Sequence, residues 1–200
     1  MRILHLIPGA FEYFDDIKAE AFDLLNDLNS LGANAEAFTL QYGTASRTAK
    51  GEPGKAAGGY VLVSTNTVDD LIKSFDEFDI IHLHCPFLGA AGNILQWKNT
   101  HKDKPFVISY YRDFKSVDVF SWSIKLYNMY YLPKLFAAAD IIACKSGSLQ
   151  TFSGIFKRFT DKAVELDDSP RFAGRDLPAD LDPGKRLAFK YLILYNGFTS

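Results

Sequence analysis

Four short runs of apolar residues set the rhythm of this chain: Arg2 to Ile7, Asp79 to His84, Pro105 to Tyr111 and Ala139 to Cys144. Each is too short for a helix and rich in Ile, Leu, Val or Tyr, the pattern of strands buried on both faces. Between the first run and a weaker strand at Asn34 to Leu40 lies DDIKAEAFDLLNDLNSLG, where Ile17, Phe22 or Ala21, Leu25 and Leu28 recur at helical spacing and Gly32 supplies a stop. Tyr60 to Val63 reads as a short strand, and Thr67 to Phe75 as a helix with Asp69 and Asp70 in its first turn, where the helix dipole favours carboxylates. Helices follow over Gly89 to Lys98, Phe120 to Ala138 and Gly147 to Phe156, the second kinked or divided by Pro133. A final strand is expected at Tyr191 to Tyr195. Apolar strands alternating with helices predict an α/β fold: a doubly wound, mostly parallel, Rossmann-like sheet with helices on both faces.

Two stretches depart from the alternation. Gln41 to Gly59 holds Gly43, Gly51, Pro53, Gly54, Gly58 and Gly59, the composition of a long mobile loop, either a substrate cover or a surface insertion. Asp161 to Lys190 is polar and punctuated by Pro170, Gly174, Pro178, Pro183 and Gly184. A length of 200 residues suits one domain, residues 1–200, with one core.

Composition removes several function classes. The formal charge of -2 leaves no global excess to draw the chain to nucleic acid. No apolar stretch is long enough to span a bilayer, and the opening MRILHLIPG is too short in apolar residues for a signal peptide. Cys85 and Cys144 each lie inside an apolar run and read as reduced, buried residues of a cytoplasmic protein. The segment VFSWSIKLYNMYYLPKLF is dense in aromatic residues. An aromatic helix of this kind is more often core than membrane-bound, and with only Lys125 and Lys134 the basic face of an interfacial helix is missing.

In a doubly wound sheet ligands bind beyond the carboxyl ends of the strands, so the residues closing each run are the informative ones. Gly9 and Ala10 follow the first run and could bring backbone amides near an anion, although neither a dinucleotide fingerprint nor a phosphate-binding loop is present. His82 and His84 share one strand face, with Cys85 on the other. Without a third ligand at suitable spacing no metal is expected, His82 is assigned a structural hydrogen bond and His84, nearer the strand end, a place in the cleft. His5 reads as a packed or hydrogen-bonded core histidine. Tyr111, Arg112 and Asp113 place a phenol, a guanidinium and a carboxylate at one strand end, able to hold a polyol or an anion; Arg112 and Asp113 could equally pair with each other. Ser146 precedes Gly147 as a helix cap or anion contact.

In order and spacing, MRILHLIPG, LNSLGANAEAFTL, FDIIHLHCPF, KPFVISYYRDF, FAAADIIACKSGSLQTF and YLILYNG resemble the first lobe of GT-B glycosyltransferases, especially family-4-like enzymes, over nearly the whole chain. The resemblance implies an acceptor-side domain of an enzyme moving a sugar from a nucleotide-sugar donor to a carbohydrate or lipid-linked acceptor, without a cofactor or metal. It implies substrate contacts at Gly9, Ala10, His84, Tyr111, Arg112 and Ser146, and a second, donor-binding lobe supplied by further sequence or by a partner chain. Family members often carry two glycines where this chain has Gly9 and Ala10, and a histidine where it has Tyr111. Those departures motivate the alternative: a noncatalytic domain that docks a partner protein or supplies one lobe of a split enzyme.

Overall fold

The computed structural model of the protein describes residues 1–8, 14–30, 32–41, 44–50, 60–113, 121–145 and 154–166. Strands are β1 (Arg2–Pro8), β2 (Asn34–Gln41), β3 (Thr44–Lys50), β4 (Tyr60–Asn66), β5 (Ile80–Cys85), β6 (Phe106–Tyr110), β7 (Ile141–Lys145) and β8 (Ala163–Leu166). Helices are α1 (Asp15–Ser30), α2 (Val68–Ser74), α3 (Ala91–Thr100), α4 (Ser121–Leu126) and α5 (Leu132–Ala138).

All eight strands join one sheet in the order β4-β3-β2-β1-β5-β6-β7-β8. From β2 to β8 the neighbours pair in parallel, while β3 and β4 add an antiparallel hairpin at the edge. The expected α/β, doubly wound, mostly parallel sheet is therefore the observed one. Chain order runs outward from β1 through β2 on one side, and from β5 through β6 to β8 on the other. The boundary between β1 and β5 is the topological switch point, where such sheets open a crevice at their carboxyl ends.

Strand alternation divides the core into two layers. Leu4, Leu6, Ile81, Leu83, Cys85, Phe106 and Ile108 face Leu71, Phe75, Ile94, Trp97, Leu135 and Phe136 of the helices on one side. Ile3, Ile7, Ile80, Val107 and Ala143 face Ala21, Leu24, Leu25 and Leu28 of α1 on the other. Helix α1 forms because its apolar positions fall on one face, and it ends at Gly32 (φ 86°), whose N–H donates to the Asn29 carbonyl at 3.2 Å while Ala33 N–H reaches back to the Leu28 carbonyl at 3.0 Å. Asp69 and Asp70 stand in the first turn of α2 as expected, and Thr67 caps the helix in a reciprocal box with Asp70.

Several expectations change. The loop expected over Gln41 to Gly59 is partly strand: Thr44–Lys50 pairs with β2, because a hairpin partner supplies the backbone hydrogen bonds that its polar composition does not signal. Strand β8 lies in a stretch expected to turn irregular at Asp161; parallel pairing of Ala163 to Leu166 with β7 decides it. Pro133 divides the aromatic helix as expected, through a wide π turn over Tyr127–Tyr131 immediately before α5, where the proline ring and missing N–H exclude regular α pairing. Of the helix expected over Gly147 to Phe156, residues 147–153 lie outside the described residues, as does the strand expected at Tyr191 to Tyr195.

Candidate functional site

At the switch point three imidazoles meet. His5 on β1 is in direct register with His82 on the parallel strand β5, and His84 follows two residues along the same face. Ring centroids lie 4.8 Å apart for His5 and His82, 5.3 Å for His5 and His84, and 4.4 Å for His82 and His84. All three are buried, at 0%, 2% and 0% exposure, on the sheet face that α1 covers.

Buried polar groups must be paired, and these are. His5 Nδ1 and His84 Nε2 share a hydrogen bond of 3.0 Å, His84 Nδ1 and the Tyr111 hydroxyl one of 2.9 Å, and His82 Nε2 and Ser109 Oγ one of 2.8 Å. A polar chain thus runs from the sheet interior through His84 to Tyr111, which is half-buried at the carboxyl end of β6. Burial drives His84 down to about 3. His5 is driven well below the usual histidine range by burial and then by His84, and His82 by burial and then by His84 and His5. Each imidazole is therefore neutral near pH 7, the form that can offer a lone pair.

One nitrogen from each of His5, His82 and His84 falls within 4.8 Å of the others, the donor set of a transition-metal site. Ser109 holds His82 Nε2 and Tyr111 holds His84 Nδ1, as outer-sphere partners hold metal-ligating histidines, which leaves the other nitrogen of each ring to face an ion. Among the described residues no Cys, Asp or Glu joins this group.

The rim is closed by ion pairs to α1. Arg112 grips Asp16 with both guanidinium nitrogens, Nη2 to Oδ1 at 3.0 Å and Nη1 to Oδ2, and Lys145 reaches Glu20 at 3.6 Å. Partial burial pushes the Asp16 carboxyl up, but hydrogen bonds from Arg112 and the start of α1 more than offset it and hold the group below the usual carboxylate range. Asp113 accepts from Tyr110 Oη at 2.5 Å, so the alternative pairing of Arg112 with Asp113 gives way to a clasp on α1.

Of the residues expected to contact a ligand, the structure joins His84 to Tyr111 directly and places Arg112 next to Tyr111 but engaged with Asp16. Gly9, Ala10 and Ser146 lie outside the described residues. The structural hydrogen bond expected of His82 is present, and Cys85 does face the opposite side. What the spacing argument missed is His5, the third imidazole, together with Ser109. A signal existed: RILHLIP and DIIHLHC carry histidine at matching places in two apolar strands, and those strands flank the switch point.

No protein-family model matches the chain, and no curated protein does. Among solved structures, a secreted C11 cysteine protease from Bacteroides thetaiotaomicron, solved with an irreversible peptide inhibitor, aligns with 10% identity and a TM-score of 0.36. The alignment covers 81% of this chain and 46% of that one. The glycosyltransferase expectation is therefore corrected: no family model and no curated protein supports a GT-B lobe, and the solved structure that aligns is described as a cysteine protease. The resemblance rested on short apolar strand motifs, which the packing of any parallel sheet demands. So slight a likeness to the protease carries no functional argument. Both cysteines are free and buried, their thiols pushed up to about 12 by burial, so neither has the low-pKa, accessible character of a nucleophile.

Proposed function

We propose that the protein binds a divalent transition-metal ion, zinc-like in preference, through His5, His82 and His84. The observation that carries this reading is the convergence of three neutral imidazoles within 4.8 Å at the switch point. Three protein ligands leave one position of a tetrahedral ion for water or substrate, the arrangement of catalytic rather than structural zinc sites. His84 would ligate through Nε2, with Nδ1–H donated to Tyr111; His82 through Nδ1, with Nε2–H donated to Ser109.

In the metal-free chain His5 Nδ1 and His84 Nε2, 3.0 Å apart, share one proton. An ion between them requires His5 in its other tautomer and a separation of about 3.3 Å, set by metal–nitrogen bonds of about 2.0 Å. Seating an ion therefore takes an opening of this pair by a few tenths of an ångström and a drawing-in of the wider donor separations, which reach up to 4.8 Å, toward the same value. Tyr111, at the half-buried end of the chain, is the group that faces an incoming molecule, with Arg112 beside it. The two unpaired thiols suit a reducing cytoplasm.

The test is titration of chelator-treated protein with Zn²⁺ by calorimetry and with Co²⁺ by visible absorption. One ion per chain, with the intense d–d bands of a tetrahedral site, is expected for the wild type. His82→Gln and His84→Gln, checked by circular dichroism, should each weaken binding at least tenfold. Failure of folded wild type to take up either ion at millimolar concentration, or undiminished uptake by both folded variants, would make the cluster a hydrogen-bonded core and nothing more.

A further inference from the structure

The helical stretch over residues 121–138 turns an unusual face outward. Of the five large hydrophobic residues exposed among those described, four belong to it: Trp122 at 72%, Leu126 at 38%, Met129 at 74% and Tyr130 at 49%. Their spacing of four, three and one follows the helix, while Ile124, Tyr127, Leu132, Leu135 and Phe136 occupy the buried side. The expectation that this aromatic helix is core is thus true of only one face.

Ordinary surface helices carry charges of both signs on the solvent side. Here residues 121–138 contain no acid, and Lys125 and Lys134 are both exposed. Lys134 Nζ lies 3.5 Å from the centroid of the Tyr130 ring, its ammonium held at the edge of the aromatic stripe. The short 3-10 helix Phe156–Lys162 packs on α5 through Phe159 against Phe136, with ring centroids 5.6 Å apart, and adds exposed Lys157 and Arg158 against a single acid, Asp161.

We infer that this face rests on the surface of an anionic lipid bilayer. Trp and Tyr favour the headgroup level, Leu and Met enter the acyl boundary, and lysines with long apolar stems reach phosphate groups from a partly inserted helix. A net cationic face, with Asp161 the one acid against Lys125, Lys134, Lys157 and Arg158, matches a lipid surface of one sign. A protein partner, with its mixed charges, would be matched by a rim of both signs. The basic face judged missing from sequence is supplied in part by a neighbouring segment, which only the fold brings alongside. The contact is peripheral, since no helix among the described residues is long and apolar enough to cross a membrane.

The chain has two tryptophans, and Trp97 is 4% exposed, so a change of emission on adding vesicles reports Trp122. Vesicles of phosphatidylcholine and phosphatidylglycerol at 3:1 should shift the emission to the blue and co-sediment the full chain, and added salt should weaken both effects. Pure phosphatidylcholine should bind far less. The double variant Leu126→Glu with Met129→Glu, which alters only exposed positions, should keep the wild-type circular dichroism and lose at least tenfold in vesicle affinity. Lys125→Gln and Lys134→Gln should each lose about fivefold on anionic vesicles. Absence of a shift on anionic vesicles, or undiminished binding by the glutamate variant, overturns the inference. A dimer in light scattering that the glutamate variant dissolves also overturns it, by assigning the stripe to a second copy.

Discussion

Acidification of the metal-free protein, in chelator, from about pH 7.5 to about pH 5 acts on stability chiefly through the three buried imidazoles, because ordinary carboxylates titrate lower. His5, His82 and His84 are held neutral in the fold, His84 down to about 3, whereas the unfolded chain protonates each near 6.5. Stability rises with pH wherever the unfolded state binds more protons, so the full contribution is present above pH 6.5 and is lost as pH falls through the window below it. One such imidazole loses about 2 kcal/mol by pH 5, and the three together about 6 kcal/mol. Set against a total of roughly 5 to 15 kcal/mol for a domain, this brings the protein close to its unfolding midpoint. Urea unfolding followed by circular dichroism at half-unit pH steps should show a stability slope approaching about 4 kcal/mol per pH unit below pH 6. Unfolding at pH 5.5 should take up nearly three protons. A urea midpoint that stays flat between about pH 7 and about pH 5.5, or ring resonances assigned to His5, His82 or His84 that titrate near 6.5 in the folded protein, would refute burial of the cluster in neutral form. Zn²⁺ at saturation should raise the stability at the upper end of the window, since a ligand bound only by the folded chain adds to it.

Two further outcomes follow from the rest of the core. Lys98, 6% exposed, donates from Nζ to the carbonyls of Lys102 and Lys104 and to Asp140 at 3.1 Å; Lys98→Met should cost about 3 kcal/mol in urea unfolding by stranding the carboxylate, and adding Asp140→Asn should restore part of it. The thiols of Cys85 and Cys144, pushed up to about 12, should react with an aromatic disulfide at pH 8 far more slowly in the folded protein than in urea, and rapid stoichiometric labelling of folded protein would contradict their burial.

The doubly wound architecture and most strands and helices were legible in the chain because each rests on local periodicity: short apolar runs at 2–7, 79–84, 105–111 and 139–144, and the helical recurrence of Ile17, Leu25 and Leu28. The same local reading placed Cys85 opposite His82 and His84, located the break at Pro133 and named His84 and Tyr111 as separate strand-end candidates, whose hydrogen bond to each other only the fold reveals. It failed where non-local pairing decides the state. Thr44–Lys50 and Ala163–Leu166 become strands only because β2 and β7 offer unpaired edges, and no composition announces a partner that distant in sequence. It failed also where degenerate strand motifs were taken for a family.

The histidine cluster divides along the same line. Sequence alone determined that His82 and His84 share a face, since side chains alternate along any strand. That His5, 77 positions before His82, stands beside it was decided by the parallel register of β1 and β5, as was the engagement of Arg112 by Asp16, 96 positions away, by the seating of α1. Likewise the helix over 121–138 carries its aromatic residues in the sequence, but which of them meet solvent depends on how the π turn before Pro133 rotates them against the sheet. Local chemistry sets what each residue can do; the long-range closure of the chain sets which residues do it together.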